Sequence, residues 1–222
     1  MSARYTLIVG TKNWSSWSLR PYLALRAIGS PFEEVVIQLR RTDSPATKDE
    51  IRKHSPAARV PVLKIEDGGR TTTVWDSLAI CETLAERHPE AKLWPADAGS
   101  RAVARSYCAE MHSGFADLRD QLPMDFARRI PTPALRDTTK EQIARVLGAW
   151  ETALAEHGND AGFLFGGFSV ADCMYGPVVS RFLTYGIEMP EASRRYTERM
   201  MSLPAMKDWG AAAKTEVDAG KA

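Results

Sequence analysis

Three places along the chain carry residue types that can bind or activate a small molecule. The first is Ser15-Ser16-Trp17-Ser18, which follows the apolar run "YTLIV" and the turn-forming "GTKN" and opens a helical pattern. A serine oxygen at a helix start can accept from an orphan backbone N–H. A serine hydroxyl in the same place can instead donate to an anionic ligand. Local sequence fits both. The second place is Val60-Pro61. A proline entering a strand lacks the ladder N–H, so it marks an edge strand or a cis X–Pro bond. The cis form turns the Val60 N–H and C=O outward, where an extended peptide ligand can pair with them. The third is Asp76-Ser77, where a strand gives way to a helix. As an N-cap pair it is complete in itself. With a ligand present, helix-start N–H groups suit a carboxylate and Asp76 accepts from an ammonium. An α-amino acid head carries both groups on one carbon.

Other motifs carry no chemistry. Ser169-Val170-Ala171-Asp172 is a capping box with Asp in the usual Glu position, and Phe168 and Cys173 stand at the two staple positions. Its expected role is to nucleate a helix. The histidines His54, His88, His112 and His157 show no metal-ligand spacing, and no GxGxxG, P-loop or HExxH occurs, so no metal is expected.

These residues need elements to position them. "YTLIV", "EVVIQL" (34–39), "VPVLKI" and "TTTVW" have strand length and composition, the last two separated by the turn signal "EDGGR". Helical signal covers 18–28, with Gly29 as its stop; Pro21 falls in the first turn if Ser18 is the cap. A short helix fits from the capping-box spacing of Thr47 and Glu50 to before Pro56, and another from Asp76 to about Arg87. The order over residues 1–87 is β-α-β-α-β-β-α. Residues 88–97, "HPEAKLWPAD", read as a linker. From 98 to 222 every strong signal is helical. Val103, Tyr107, Met111, Phe115, Leu118 and Leu122 mark one face of a long helix that Pro123 ends; Ile143, Leu147, Trp150 and Leu154 mark another. A third helix begins near Ser169, shorter ones flank "SLPAM", and "AAAKTEVDAGKA" is a helix end expected to fray. The fold class is α/β followed by all-α.

A net charge of +1 over 222 residues gives no electrostatic argument for nucleic acid or an anionic membrane. No run approaches the roughly 20 apolar residues that span a bilayer. Residues 1–4 lead straight into a strand with no signal-peptide pattern. Cys81, Cys108 and Cys173 form no CxxC pair and sit in apolar helical patterns, so buried free thiols in a reducing compartment, the cytoplasm, are expected.

In order and spacing, "SSWSLR", "RVPVL", "VWDSLAICETLAE" and "FSVADCMYGPVV" resemble the glutathione S-transferase superfamily over nearly the whole chain. "SSWSLR" is similar to the Ser-Ser-Cys-Ser region of zeta-class members, and Arg59-Val60-Pro61 is similar to tau-class enzymes. The resemblance implies a thioredoxin-like first domain that binds glutathione as co-substrate and a helical second domain lining the electrophile site. It implies Ser15 as the catalytic hydroxyl donating to the glutathione sulfur, and Val60, before a cis Pro61, pairing with the cysteinyl backbone. Asp76 and Ser77 would hold the γ-glutamyl head, and Arg59 would reach the glycine carboxylate. The electrophile would lie against Trp14, Trp17, Met111 and Phe115. A homodimer is implied too. Three departures bear on activity: Trp17 stands where zeta members have cysteine, Arg181 is offset from the zeta-class arginine, and the zeta-type glutamines between the second strand and Val60 are missing. The leading expectation is therefore conjugation of glutathione to small electrophiles. A maleylacetoacetate-type isomerase and a non-catalytic binding protein are the alternatives. Without a cysteine in "SSWS", mixed-disulfide chemistry is not expected.

Overall fold

The computed structural model describes residues 3–39 and 44–222, so residues 1 and 2, ahead of the first strand, lie outside the described residues. Four strands form one mixed sheet in the order β2-β1-β3-β4. β1 (Arg4–Gly10) runs parallel to β2 (Phe32–Ile37) and antiparallel to β3 (Val62–Asp67), which turns back through Gly68 and Gly69 into β4 (Arg70–Trp75). Both glycines have positive φ, as a tight hairpin requires. Leu7, Ile8 and Val9 of β1 are fully buried because both faces of the central strand are covered.

α1 (Ser16–Ile28) packs against α3 (Ser77–Arg87) on one side and α7 (Val170–Thr184) on the other. A helix between two layers is apolar nearly all round, and residues 18–25 of α1 are all buried. α7 is buried along its length as well. The two helices approach closely at Gly176, where a Cβ would lie 2.8 Å from Leu23 Cδ1. The other α-helices among the described residues are α2 (Pro45–Arg52), α4 (Ala98–Ser113), α5 (Ala116–Gln121), α6 (Asp137–His157), α8 (Glu191–Ser202) and α9 (Pro204–Asp218). A four-stranded α/β half followed by a helical half is the thioredoxin-like arrangement expected.

Three expectations are corrected. α1 begins at Ser16 with Ser15 in the N-cap position, so Ser18 is not the cap and Pro21 lies inside the helix. A proline there removes one helical hydrogen bond; burial on two sides outweighs that loss. α2 starts after Ser44 rather than at Thr47. The long helix expected over 103–122 is two, because Gly114 is extended and Phe115 adopts φ 59. Apolar periodicity continues across the break while the backbone turns, which carries Leu118 and Leu122 toward α6; Val103 is left exposed. The C-terminal segment is helical as expected: α9 runs to Asp218, and Glu216 within it accepts the N–H groups of Lys12 and Asn13.

The capping box forms as expected. Ser169 N–H and Oγ donate to Asp172 Oδ2 at 2.8 and 2.9 Å, and Leu164 N–H donates to Oδ1 at 3.2 Å. Complete burial pushes the Asp172 carboxyl up to about 6, against the pull of these bonds. Ser169→Ala is expected to lower stability by about 1 kcal/mol, measured by denaturant unfolding. A carboxyl raised in the folded state ionises first in the unfolded chain. Stability relative to Asp172→Asn should therefore fall as pH rises from about 4 to about 6.

Candidate functional site

A cavity of ≈ 740 Å³ opens where β3 begins and β4 ends. Its walls draw on five parts of the fold. Val60 and Pro61 come from the loop into β3, Asp76 and Ser77 from the start of α3, Trp17 from the first turn of α1, and His112 from α4. Lys48, Arg52 and Arg59 line it from the α2 side.

The Val60–Pro61 bond is cis. The ladder between β3 and β1 starts at Val62, and the N–H and C=O of Val60 take no backbone partner among the described residues. They are free to pair with an extended ligand. Asp76 has φ 74, an unusual backbone for a residue with a Cβ, which turns the chain from β4 into α3. Its Oδ1 accepts from Leu78 N–H at 2.9 Å and from Ala79 N–H at 3.4 Å, so the carboxylate caps the helix. Its Oδ2 lies 3.3 Å from His112 Nε2. Ser77 is buried, and its Oγ accepts from Arg20 Nη1 at 3.3 Å.

Ser15 does not line the cavity. It is buried against the end of β1, and its Oγ donates to Ser18 Oγ at 2.7 Å, which also accepts from Gly10 N–H at 3.2 Å. Gly10 leaves room for this: a Cβ there would lie 3.1 Å from Ser15 Oγ and 2.5 Å from Leu39 Cδ1. The N–H of Ser16 bonds Trp14 C=O, whereas that of Trp17 has no backbone partner among the described residues.

Beneath Trp17 lies a cluster of arginines. The Arg20 guanidinium sits 4.2 Å from the Trp17 ring centroid and that of Arg119, from α5, at 5.6 Å. Arg20 and Arg181 are almost fully buried. Burial pushes Arg20 down to about 10, with Arg119 acting in the same direction. Burial, then Arg20 and Arg119, push Arg181 down to about 9. Arg181 Nε donates to Leu122 C=O at 2.8 Å and Arg119 Nη1 to Met111 C=O at 3.3 Å, while Arg20 Nε and Arg181 Nη1 have no partner among the described residues. Both arginines remain protonated at neutral pH. The cluster is positive and takes no carboxylate within ion-pair distance among the described residues.

Of the residues the sequence singled out, Trp17, Arg59, Val60, Pro61, Asp76 and Ser77 meet in one cavity. Trp14, Met111 and Phe115 do not line it. Met111 and Phe115 are buried in the main core, where their apolar spacing puts them. Trp75, His112, Lys48 and Arg52 do line it and were not singled out. Lys48 and Arg52 are spaced i, i+4 on α2, a same-face signal present in the sequence. His112 has no such signal.

Residues 14–87 match the glutathione S-transferase N-terminal domain, and residues 133–210 match the glutathione S-transferase C-terminal domain. A probable maleylacetoacetate isomerase from Caenorhabditis elegans is 25% identical over 198 residues, covering 86% of this chain and 85% of that protein. A maleylacetoacetate isomerase from Anaeromyxobacter dehalogenans, solved with glutathione bound in its active site, is similar at TM-score 0.67 and 28% identity. That match covers 94% of this chain and 95% of the other. A glutathione transferase homolog from Burkholderia, also solved with bound glutathione, shares the fold at TM-score 0.71 and 24% identity, covering 96% and 99% of the two chains.

Asp76 combines a cap with a charge, and two substitutions separate them. Asp76→Ala removes the acceptor of two N–H groups and should cost about 1 kcal/mol in thermal or denaturant unfolding. Asp76→Asn keeps an acceptor oxygen and suits positive φ, so its stability should stay within about 0.5 kcal/mol of wild type.

Proposed function

Because the chain belongs to the glutathione S-transferase family, we propose that its cavity binds glutathione and activates the thiol for addition to small electrophiles. One observation carries this reading. The free N–H and C=O of Val60 stand in the same cavity as Asp76 and Ser77, with cations of α2 and Arg59 on the other side. The tripeptide has matching parts: an amino-acid head for Asp76 and Ser77, a backbone for Val60, and a terminal carboxylate for Arg59 and its neighbours.

The chemistry is thiol activation. A free thiol titrates near 8.5, and only the thiolate attacks. Lowering that value by about 2 units corresponds to about 2.7 kcal/mol. The start of α1 supplies part of it through the Trp17 N–H and the helix dipole. The arginines beneath Trp17 add positive potential. Ser15 adds a hydroxyl donor once it releases Ser18. Because Ser18 can donate as well as accept, reversing that one bond turns the Ser15 proton outward.

A second reading, isomerisation of an acidic maleyl-type substrate, is favoured by the arginine cluster. Arg20, Arg119 and Arg181 lack carboxylate partners among the described residues, and relatives bear that isomerase name. The same thiolate serves both chemistries. Conjugation stops at the adduct, whereas cis–trans isomerisation expels the thiol after rotation about the new single bond. Three buried free cysteines support a cytoplasmic setting, and the exposed Trp75 and Val103 support a two-fold dimer.

Retention on immobilised glutathione, then assays with a panel of electrophiles and a maleyl substrate, test the reading. A chain that neither binds nor turns over would overturn it. Ser15→Ala should move the alkaline-rising limb of the pH–rate profile up by about 1 unit, with KM for glutathione little changed. An unmoved limb would assign the thiolate to the Trp17 N–H and the arginines instead. Sedimentation at micromolar concentration should give a dimer.

A further inference from the structure

The Asp76 carboxylate is divided between two tasks. Oδ1 caps α3, while Oδ2 is turned away from the helix toward His112 Nε2, 3.3 Å distant. His112 comes from α4, and from residue 98 onward it is the cavity's one lining side chain among the described residues. Its ring meets the Trp17 ring edge-on at 5.2 Å. Trp17 in turn carries Arg20 on its face, and Arg20 donates to Ser77. The contacts run from Asp76 through His112, Trp17 and Arg20 back to Ser77, the residue next to Asp76. They surround one end of the cavity.

The imidazole's tautomer follows from its surroundings. Nδ1 is buried with no partner among the described residues. A proton on Nδ1 would be a buried unsatisfied donor, whereas Nε2 faces the Asp76 carboxylate. The proton belongs on Nε2.

We infer that His112 is a positioning residue for the amino-acid head of the ligand: its Nε2, 3.3 Å from Asp76 Oδ2, keeps that oxygen on the cavity side, where the γ-glutamyl ammonium meets it. This rests on the glutathione reading of the cavity. Asp76 is otherwise half-exposed, and its Oδ1 bonds alone leave the second oxygen free to turn to solvent. Because His112 acts on the head of the ligand and not on the sulfur, its loss weakens binding and spares chemistry.

His112→Leu and His112→Gln test this. Leucine keeps apolar contact with Trp17 and suits a helix but has no donor; glutamine restores one. The leucine variant should raise KM and Kd for glutathione about three- to tenfold, with kcat within about twofold of wild type. The glutamine variant should recover most of that loss. Deaminated glutathione, which lacks the γ-glutamyl amine, should bind wild type and the leucine variant alike. Should the leucine chain not fold, His112→Ala carries the same comparison. An unchanged KM, an equal loss for both ligands, or no recovery with glutamine would each overturn the inference. A wild-type chain that fails to bind glutathione would remove the reading beneath it, a result visible before any variant is made.

Discussion

The site depends on how the buried loop between β1 and α1 is satisfied. Thr11, Lys12 and Asn13 are buried, so their polar groups cannot be left to water. Many of their partners come from the helical half. Lys12 and Asn13 N–H donate to Glu216, the Trp209 indole N–H donates to Lys12 C=O, and Asn13 Nδ2 donates to Asp125. Asn13 Oδ1 and C=O accept from the N–H groups of Ala127 and Phe126. Net, each bond contributes about 1 kcal/mol, but each one broken strands a buried group at greater cost. The start of α1 is thereby held against the helical half, and with it Ser15, the Trp17 N–H and the arginine cluster.

Charge in the interface between α1 and α7 follows from that packing. Arg20 on α1 and Arg181 on α7 are buried where Gly176 lets the helices approach, an arrangement that costs desolvation with no ion pair among the described residues to offset it. Stacking on Trp17, the Ser77 hydroxyl and the Leu122 carbonyl offset part of the loss. What remains is positive potential near the helix start that also presents the Trp17 N–H. Potential and dipole act in the same direction on an anion placed there. A thiolate and an acidic electrophile would both benefit, so the two proposed chemistries draw on the same groups.

Much of the fold was legible because local chemistry decided it. The capping box at Ser169 and Asp172, the cis Val60–Pro61 bond and the Asp76 cap each rest on a few adjacent residues, and the structure forms all three. The misreadings share a different cause. Pro21 pointed to Ser18 as a cap because local rules price a mid-helix proline without the burial that tolerates it. Periodicity carried one helix through Gly114 and Phe115 because apolar spacing does not register φ. Met111 and Phe115 looked like pocket residues because an apolar stripe has the same pattern in a core and in a cavity wall. His112 gave no signal at all: its partners Asp76 and Trp17 lie 36 and 95 residues away in sequence, and only tertiary packing brings them together.

The contacts around the head site are weak singly. Asp76 and His112 are a half-exposed pair, and such pairs contribute about 1 kcal/mol or less. Stacking of Arg20 and the edge of His112 on Trp17 adds increments of the same order. Their importance lies in origin: α1 supplies Trp17 and Arg20, α3 supplies Ser77 with its Asp76 cap, and α4 supplies His112. The ring closes only when the helical half is docked on the sheet. Docking is secured independently, by the Asn13 clamp and the α1–α7 contact, so the ring adds little to stability. On the glutathione reading, no ligand affinity goes into assembling the site, because Asp76, Ser77 and Trp17 are already oriented before the ligand arrives.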